Sequence, residues 1–161
     1  MSKGEWHLEF IDQKNQHITL RFCGPNDERT GDHVLGLTRF NQQWLFTKHR
    51  RRGIEFPGGK REQGESSEIA LAREIYEETG GQLEAAYYIA QYTVSNEVRT
   101  FSKDVFVCFI HSIDSKNDYF ETDGPICFET LDDIPDINKS FLLEDPAILK
   151  CVERMGELGF Y

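Results

Sequence analysis

The chain has 161 residues, of which 39% are hydrophobic and 12% aromatic, with a formal net charge of -10. That is enough length for one domain with a real core, here taken as a single unit over residues 1–161, and the composition is that of an ordinary globule. The acidic balance argues against a DNA-binding surface, but it is compatible with a small phosphate-bearing substrate held by local cations or bound metal.

In chain order, two short alternating segments, Trp6 to Ile11 and His17 to Phe22, read as a hairpin closed by Asp12-Gln13-Lys14-Asn15. "CGPNDERTGD" is a polar loop. His33 to Phe40 and Gln43 to Lys48 read as a second hairpin with Asn41-Gln42 at its tip, followed by the basic cluster Lys48 to Arg52 and a glycine corner, Phe56-Pro57-Gly58-Gly59. Ser66 to Thr79 has helical spacing, a serine start and a Gly80-Gly81 stop. Leu83 to Val94 and Thr100 to Ile113 are strand-like, "DSKNDYFETDGP" is a polar loop, and Ile126 to Leu131 is a further strand. "EDPAILKCVERMGELG" closes the chain as a helix with Pro146 in its first turn. The expected fold class is α/β in the α+β sense, with an antiparallel-leaning mixed sheet.

No run approaches the apolar length of a membrane span, and the first ten residues lack a basic start and apolar middle. A cytoplasmic location without a membrane partner is therefore expected. Cys23, Cys108, Cys127 and Cys151 form no CxxC pair, and the histidines show no metal spacing, so no zinc site is expected.

The chemistry concentrates in "EFPGGKREQGESSEIALAREIYEETGG", Glu55 to Gly81. At about 100° per residue from Leu71, Ile75, Thr79 and Ala72 make an apolar arc, whereas Glu77, Glu74 and Glu78 fall at roughly 240°, 300° and 340°. Three carboxylates thus share one face. Glu74 and Glu78 repel at i and i+4, and acids near a helix C-terminus oppose the dipole. A solvated face is the ordinary explanation for any one of them; together they imply a cation between them. Carboxylate oxygens suit a hard ion such as Mg2+ or Mn2+, and the glycine corner lets the backbone approach the same place.

Gly59, Glu65, Arg73-Glu74-Ile75, Glu77-Glu78 and Gly80, at these spacings, resemble the Nudix box (residues 59–81) of the Nudix hydrolases, MutT-like members in particular. A pattern with so many fixed positions is highly specific. It departs at Gly81, where the box usually has an apolar residue that packs the helix end. The resemblance implies the Nudix fold, a central mixed sheet between helices with a loop-helix-loop box. It implies metal held by Glu74, Glu77, Glu78 and the Gly58 carbonyl, plus an outlying acid, for which Glu121 is the candidate and Asp123 a competitor. Arg73 would hold the box together by pairing with its carboxylates, and "LDDIPDINKSF" is similar to the segment whose asparagine reads a purine edge, which maps onto Asn138.

The reaction so implied is metal-assisted attack of water on a nucleoside triphosphate, giving monophosphate and pyrophosphate, with oxidised guanine nucleotides such as 8-oxo-dGTP as one substrate. Glu65, Glu74, Glu77 and Glu121 are all candidate bases. Among the basic cluster, Lys48 and Arg52 are the candidates to hold the triphosphate, and Phe120, Tyr119 and Trp44 could stack on a base. Two alternatives stand beside this reading: removal of pyrophosphate from the triphosphorylated 5' end of RNA, and a non-catalytic nucleotide-sensing domain. The complete set of acids speaks against the last.

Overall fold

The computed structural model describes residues 7–161, so Trp6, expected in the first strand, lies outside the described residues. The chain runs β1 (His7–Ile11), β2 (His17–Phe22), β3 (His33–Phe40), β4 (Gln43–His49), β5 (Gly53–Glu55), β6 (Gly58–Lys60), α1 (Ser67–Thr79), β7 (Gly81–Ser95), β8 (Thr100–Ile113), β9 (Thr122–Phe128) and α2 (Pro146–Glu157). The described strands form one mixed sheet in the order β1-β2-β7-β8-β3-β4-β5, with β6 added against β3 and β9 against β4. Among its named strands the pairing is antiparallel except between β3 and β8, which run parallel.

Both expected hairpins form. The β3–β4 turn places Asn41 and Gln42 at φ of 49° and 64°, the double left-handed conformation of a turn whose twist matches the strands it joins. In the β1–β2 turn the Asp12 carboxylate accepts from the backbone N–H of Lys14 and Gln16 at 2.9 and 2.8 Å, fixing the loop from within.

Strand alternation then builds two cores. Val34, Leu45, Phe106 and Cys108 face one way and bury Ala70, Leu71 and Ile75 of α1. Leu35, Trp44, Phe46, Val105 and Val107 face the other way, against Ala147, Ile148, Cys151 and Met155 of α2. One helix therefore covers each face of the sheet. Each large side chain buried in this way contributes about 1.5–3 kcal/mol relative to exposure.

The structure differs from the sequence reading at several points, β7 for one beginning at Gly81 and not Leu83. The last strand spans Thr122–Phe128 and not Ile126 to Leu131, because Thr122 and Pro125 pair with β4 although they carry no apolar period. Leu131–Asp133 instead forms a short 3-10 turn capped between Thr130 and Asp133. On α1 the buried arc includes Ser67 and Ala70, while Ala72 is only half-buried. Ser67 tolerates burial because its hydroxyl donates to Asp104 at 2.6 Å. β5 and β6, three residues each, are too short to leave a period in the sequence.

Candidate active site

α1 is set between two local signals read from the sequence. The Ser66 hydroxyl accepts from the Ile69 N–H at its start, and Gly80, at φ 76°, ends it in the left-handed conformation. Gly81 begins β7, and a Cβ there would press on Thr79 Oγ1 and on the methyls of Ile110 and Ile75. The absent apolar side chain is thus replaced by neighbours that already fill the space.

Glu74, Glu77 and Glu78 line one cleft of about 990 Å3, together with Gly58, Gly59, Arg52, Arg73 and Glu121. β6 brings the glycine corner against the helix. The Gly58 N–H donates to Glu78 at 2.9 Å, and a Cβ on Gly59 would lie 2.5 Å from Glu74 Cδ, so only glycine leaves that carboxylate its place.

Arg73 organises the acids. Its Nε and Nη2 grip both oxygens of Glu65 at 2.7 and 2.8 Å, and Nη1 donates to Glu74 at 2.9 Å and to Glu77 at 3.3 Å. This fork-to-carboxylate pairing, aided by the Glu62 N–H, holds the Glu65 carboxyl down at about 2. Burial pushes Glu78 up to about 8, reinforced by Glu74 and Glu55 and opposed by the Gly58 N–H. Burial also raises Glu74, with the Arg73 contact pulling the other way. The acid just before the helix and the acids on it are therefore driven in opposite directions.

Among the described residues no three acidic, histidine or cysteine side chains converge as a ready metal cage. The donors that α1 presents to the cleft are carboxylate oxygens beside a close-packed glycine backbone, which matches a hard divalent cation by chemistry.

The remaining candidates divide. Arg52 reaches the cleft, and its guanidinium forks onto Glu55 at 2.8 to 3.2 Å. Glu121 lines the cleft 3.8 Å from His49, whereas Asp123 is engaged by Arg50 at 3.1 Å. Lys48 is half-buried opposite Ile54 in the β4–β5 pair and is not among the cleft residues. Asn138 is exposed in a 3-10 turn away from the cleft lining; its carbonyl packs against Gly53. Phe120 borders the cleft, Trp44 is core against Phe56 and Tyr161, and Tyr119 packs under Gly124.

Sequence reasoning missed two groups. Glu55 is buried at the cleft, bonded to Arg52 and to the Ser140 hydroxyl at 2.7 Å. Its signal was an acid directly before the glycine corner. The second group is Lys60, Arg61, Arg99 and Lys103, which line the cleft and have no ion-pair partner among the described residues. They gather from β6 and β8 and the residues beside them, and burial with Lys103, Arg99 and Lys60 lowers His33 to about 4. The His33 ring lies 4.8 Å from that of Phe101, and Arg99 sits over Phe101 at 4.5 Å.

With this fold and site in place, comparison with known proteins defines the class. The family model described as "NUDIX domain" matches residues 27–141, and the chain belongs to that family. It is a Nudix hydrolase with the Nudix fold. The chain is similar to "Putative 8-oxo-dGTP diphosphatase YtkD" of Bacillus subtilis (strain 168), being 34% identical over 154 residues that cover 94% of this chain and 98% of the relative. It is also similar to the crystal structure of the Bacillus subtilis pyrophosphohydrolase BsRppH (E68A mutant), with a TM-score of 0.86, 32% identity, and coverage of 94% and 98% of the two chains. A NUDIX hydrolase from Nitrosomonas europaea shares the fold at a TM-score of 0.62 and 22% identity, covering 78% of this chain and 87% of that one.

Proposed function

We propose that this chain is a metal-dependent pyrophosphohydrolase that cleaves nucleoside triphosphates to monophosphate and pyrophosphate, with 8-oxo-dGTP among its substrates. The observation that carries the reading is the shared face of Glu74, Glu77 and Glu78 on the cleft wall, closed against Gly58 and Gly59. The similarity to a protein bearing the name of an 8-oxo-dGTP diphosphatase supports the substrate.

Glu74, Glu77 and Glu78, the Gly58 carbonyl and Glu121 would hold Mg2+ or Mn2+, which when bound neutralises phosphate oxygens and acidifies the attacking water. Arg73 keeps the acids in register. Glu65, gripped by both arms of Arg73 and held at about 2, is a weak proton acceptor. That leaves Glu74, Glu77 and Glu121, all on the cleft, as the candidates to take the water proton. Arg52, fixed by Glu55, presents its charge to the phosphates.

A second reading, removal of pyrophosphate from a triphosphorylated RNA 5' end, is favoured by the unpaired cations Lys60, Arg61, Arg99 and Lys103 along the same cleft. They extend the positive lining beyond what one triphosphate needs. Turnover of 8-oxo-dGTP, dGTP and a short triphosphorylated RNA, measured side by side with Mg2+ or Mn2+, decides between the two. Release of neither phosphate nor pyrophosphate from all three would leave a nucleotide-binding domain without catalysis.

A further inference from the structure

We infer that Lys116, in the loop between β8 and β9, is the positioning residue that fixes Glu121 at the carboxylate face of α1. The inference rests on the reading of Glu121 as a metal ligand.

α1 ends in Glu77, Glu78 and Thr79, with no basic residue in its last turn. Its terminal carbonyls face the wrong charges from its own sequence. Lys116 supplies the missing cation from another element: Nζ donates to the carbonyls of Tyr76 and Glu77, each at 3.0 Å. The next carbonyl, of Glu78, accepts from the Thr47 and Thr122 hydroxyls at 3.0 and 3.2 Å. The last turn bearing two of the proposed ligands is thus capped by side chains from β4, β9 and this loop.

The same ammonium is caged by rings. It lies 4.8 Å from the centroid of Tyr76, on α1, and 5.4 Å from those of Tyr119 and Phe120, on the loop. The Lys116 N–H donates to the Tyr119 hydroxyl at 3.0 Å, tying the start of the loop to its middle. Phe120 has φ of 61°, a left-handed conformation that a bulky residue adopts only when its surroundings impose it. The Asp118 carboxylate accepts from the Phe120 N–H at 2.8 Å, and the next residue, Glu121, is the one that lines the cleft. Lys116 joins the strained turn that aims Glu121 to the helix that carries Glu77 and Glu78. Among the described residues it has no carboxylate partner, so its charge is committed to the carbonyls and rings.

The test uses Lys116→Met, which keeps the stem and removes the charge, with Mn2+ binding measured by electron paramagnetic resonance in the absence of substrate. Expected is a loss of Mn2+ affinity and of kcat of about tenfold each, with KM for the triphosphate little changed. Lys116→Arg should recover part of both. Phe120→Leu, which removes one ring of the cage at an exposed position, should weaken Mn2+ in the same direction. The double variant Lys116→Met with Glu121→Gln should bind Mn2+ no more weakly than Glu121→Gln alone. Wild-type Mn2+ affinity in Lys116→Met, beside a weakened Glu121→Gln, overturns the role of Lys116 alone. Losses that add in the double variant overturn it too. Wild-type affinity in Glu121→Gln overturns the ligand assignment beneath it as well.

Discussion

The backbone N–H of Gly58 donates to the side chain of Glu78 at 2.9 Å, joining the glycine corner directly to the last turn of the acidic helix. That bond, with the charge of Arg52, favours the ionised form of a carboxyl that burial otherwise pushes up to about 8.

A dependence of stability on pH follows for the metal-free protein. The folded carboxyl holds its proton up to about 8, whereas the unfolded one releases it near the ordinary 4.5. Between those values the folded state binds the extra proton, so this contribution is complete below the lower value and is lost as pH rises through the upper one, by up to about 1.4 kcal/mol per pH unit. Melting temperatures in EDTA should fall from pH 5 to 9, and Glu78→Gln should flatten that slope. Added Mg2+ should stabilise most at the alkaline end, where no proton need be displaced.

Glu74→Gln and Glu78→Gln should each lower turnover by orders of magnitude and leave the fold intact, or slightly more stable above about pH 8, where Glu78 is ionised and each change removes like-charge repulsion at i and i+4. Steady-state kinetics together with thermal melts separate the two effects. Full activity in both variants would remove the metal assignment.

The two neighbouring glycines should fail differently. A Cβ on Gly58 would strike the Val34 carbonyl, which is fixed backbone in the sheet, so Gly58→Ala should lower the melting temperature markedly. On Gly59 the Cβ meets only the end of the Glu74 side chain, so Gly59→Ala should melt nearly as the parent does and lose at least about tenfold in kcat.

Arg73→Lys cannot reproduce the two-pronged grip on Glu65 while also reaching Glu74 and Glu77. A melting temperature lower by roughly 2–4 °C for each kcal/mol lost and a clear loss of kcat are expected. A variant that melts and turns over as the parent does would show the guanidinium network to be dispensable.

Arg99→Ala and Lys103→Ala should weaken kcat/KM for a triphosphorylated RNA more than for dGTP, and the RNA rate should lose part of its salt dependence. Equal losses on both substrates would assign these cations to the triphosphate itself.

Much of this molecule is legible in its amino acids because the signals are local. The hairpins follow from alternation plus turn residues, α1 from Ser66 and Gly80, and the common face of Glu74, Glu77 and Glu78 from helical geometry alone. β9 was misplaced because its first residues are polar and owe their strand to pairing with β4. Glu55 escaped notice because a buried acid looks like any other acid until Arg52 and Ser140 are seen around it.

What the sequence by itself determined is the class of chemistry: residue types at fixed spacing on one helix, preceded by glycines, are a property of the chain whatever surrounds it. The tertiary structure alone decided which distant groups join that helix. Lys116, Glu121, Arg99 and Lys103 lie many residues away, and only the folding of β8 and β9 beside the box brings them to its end and its cleft. Sheet order and loop closure, which carry no short-range signature, determine that encounter.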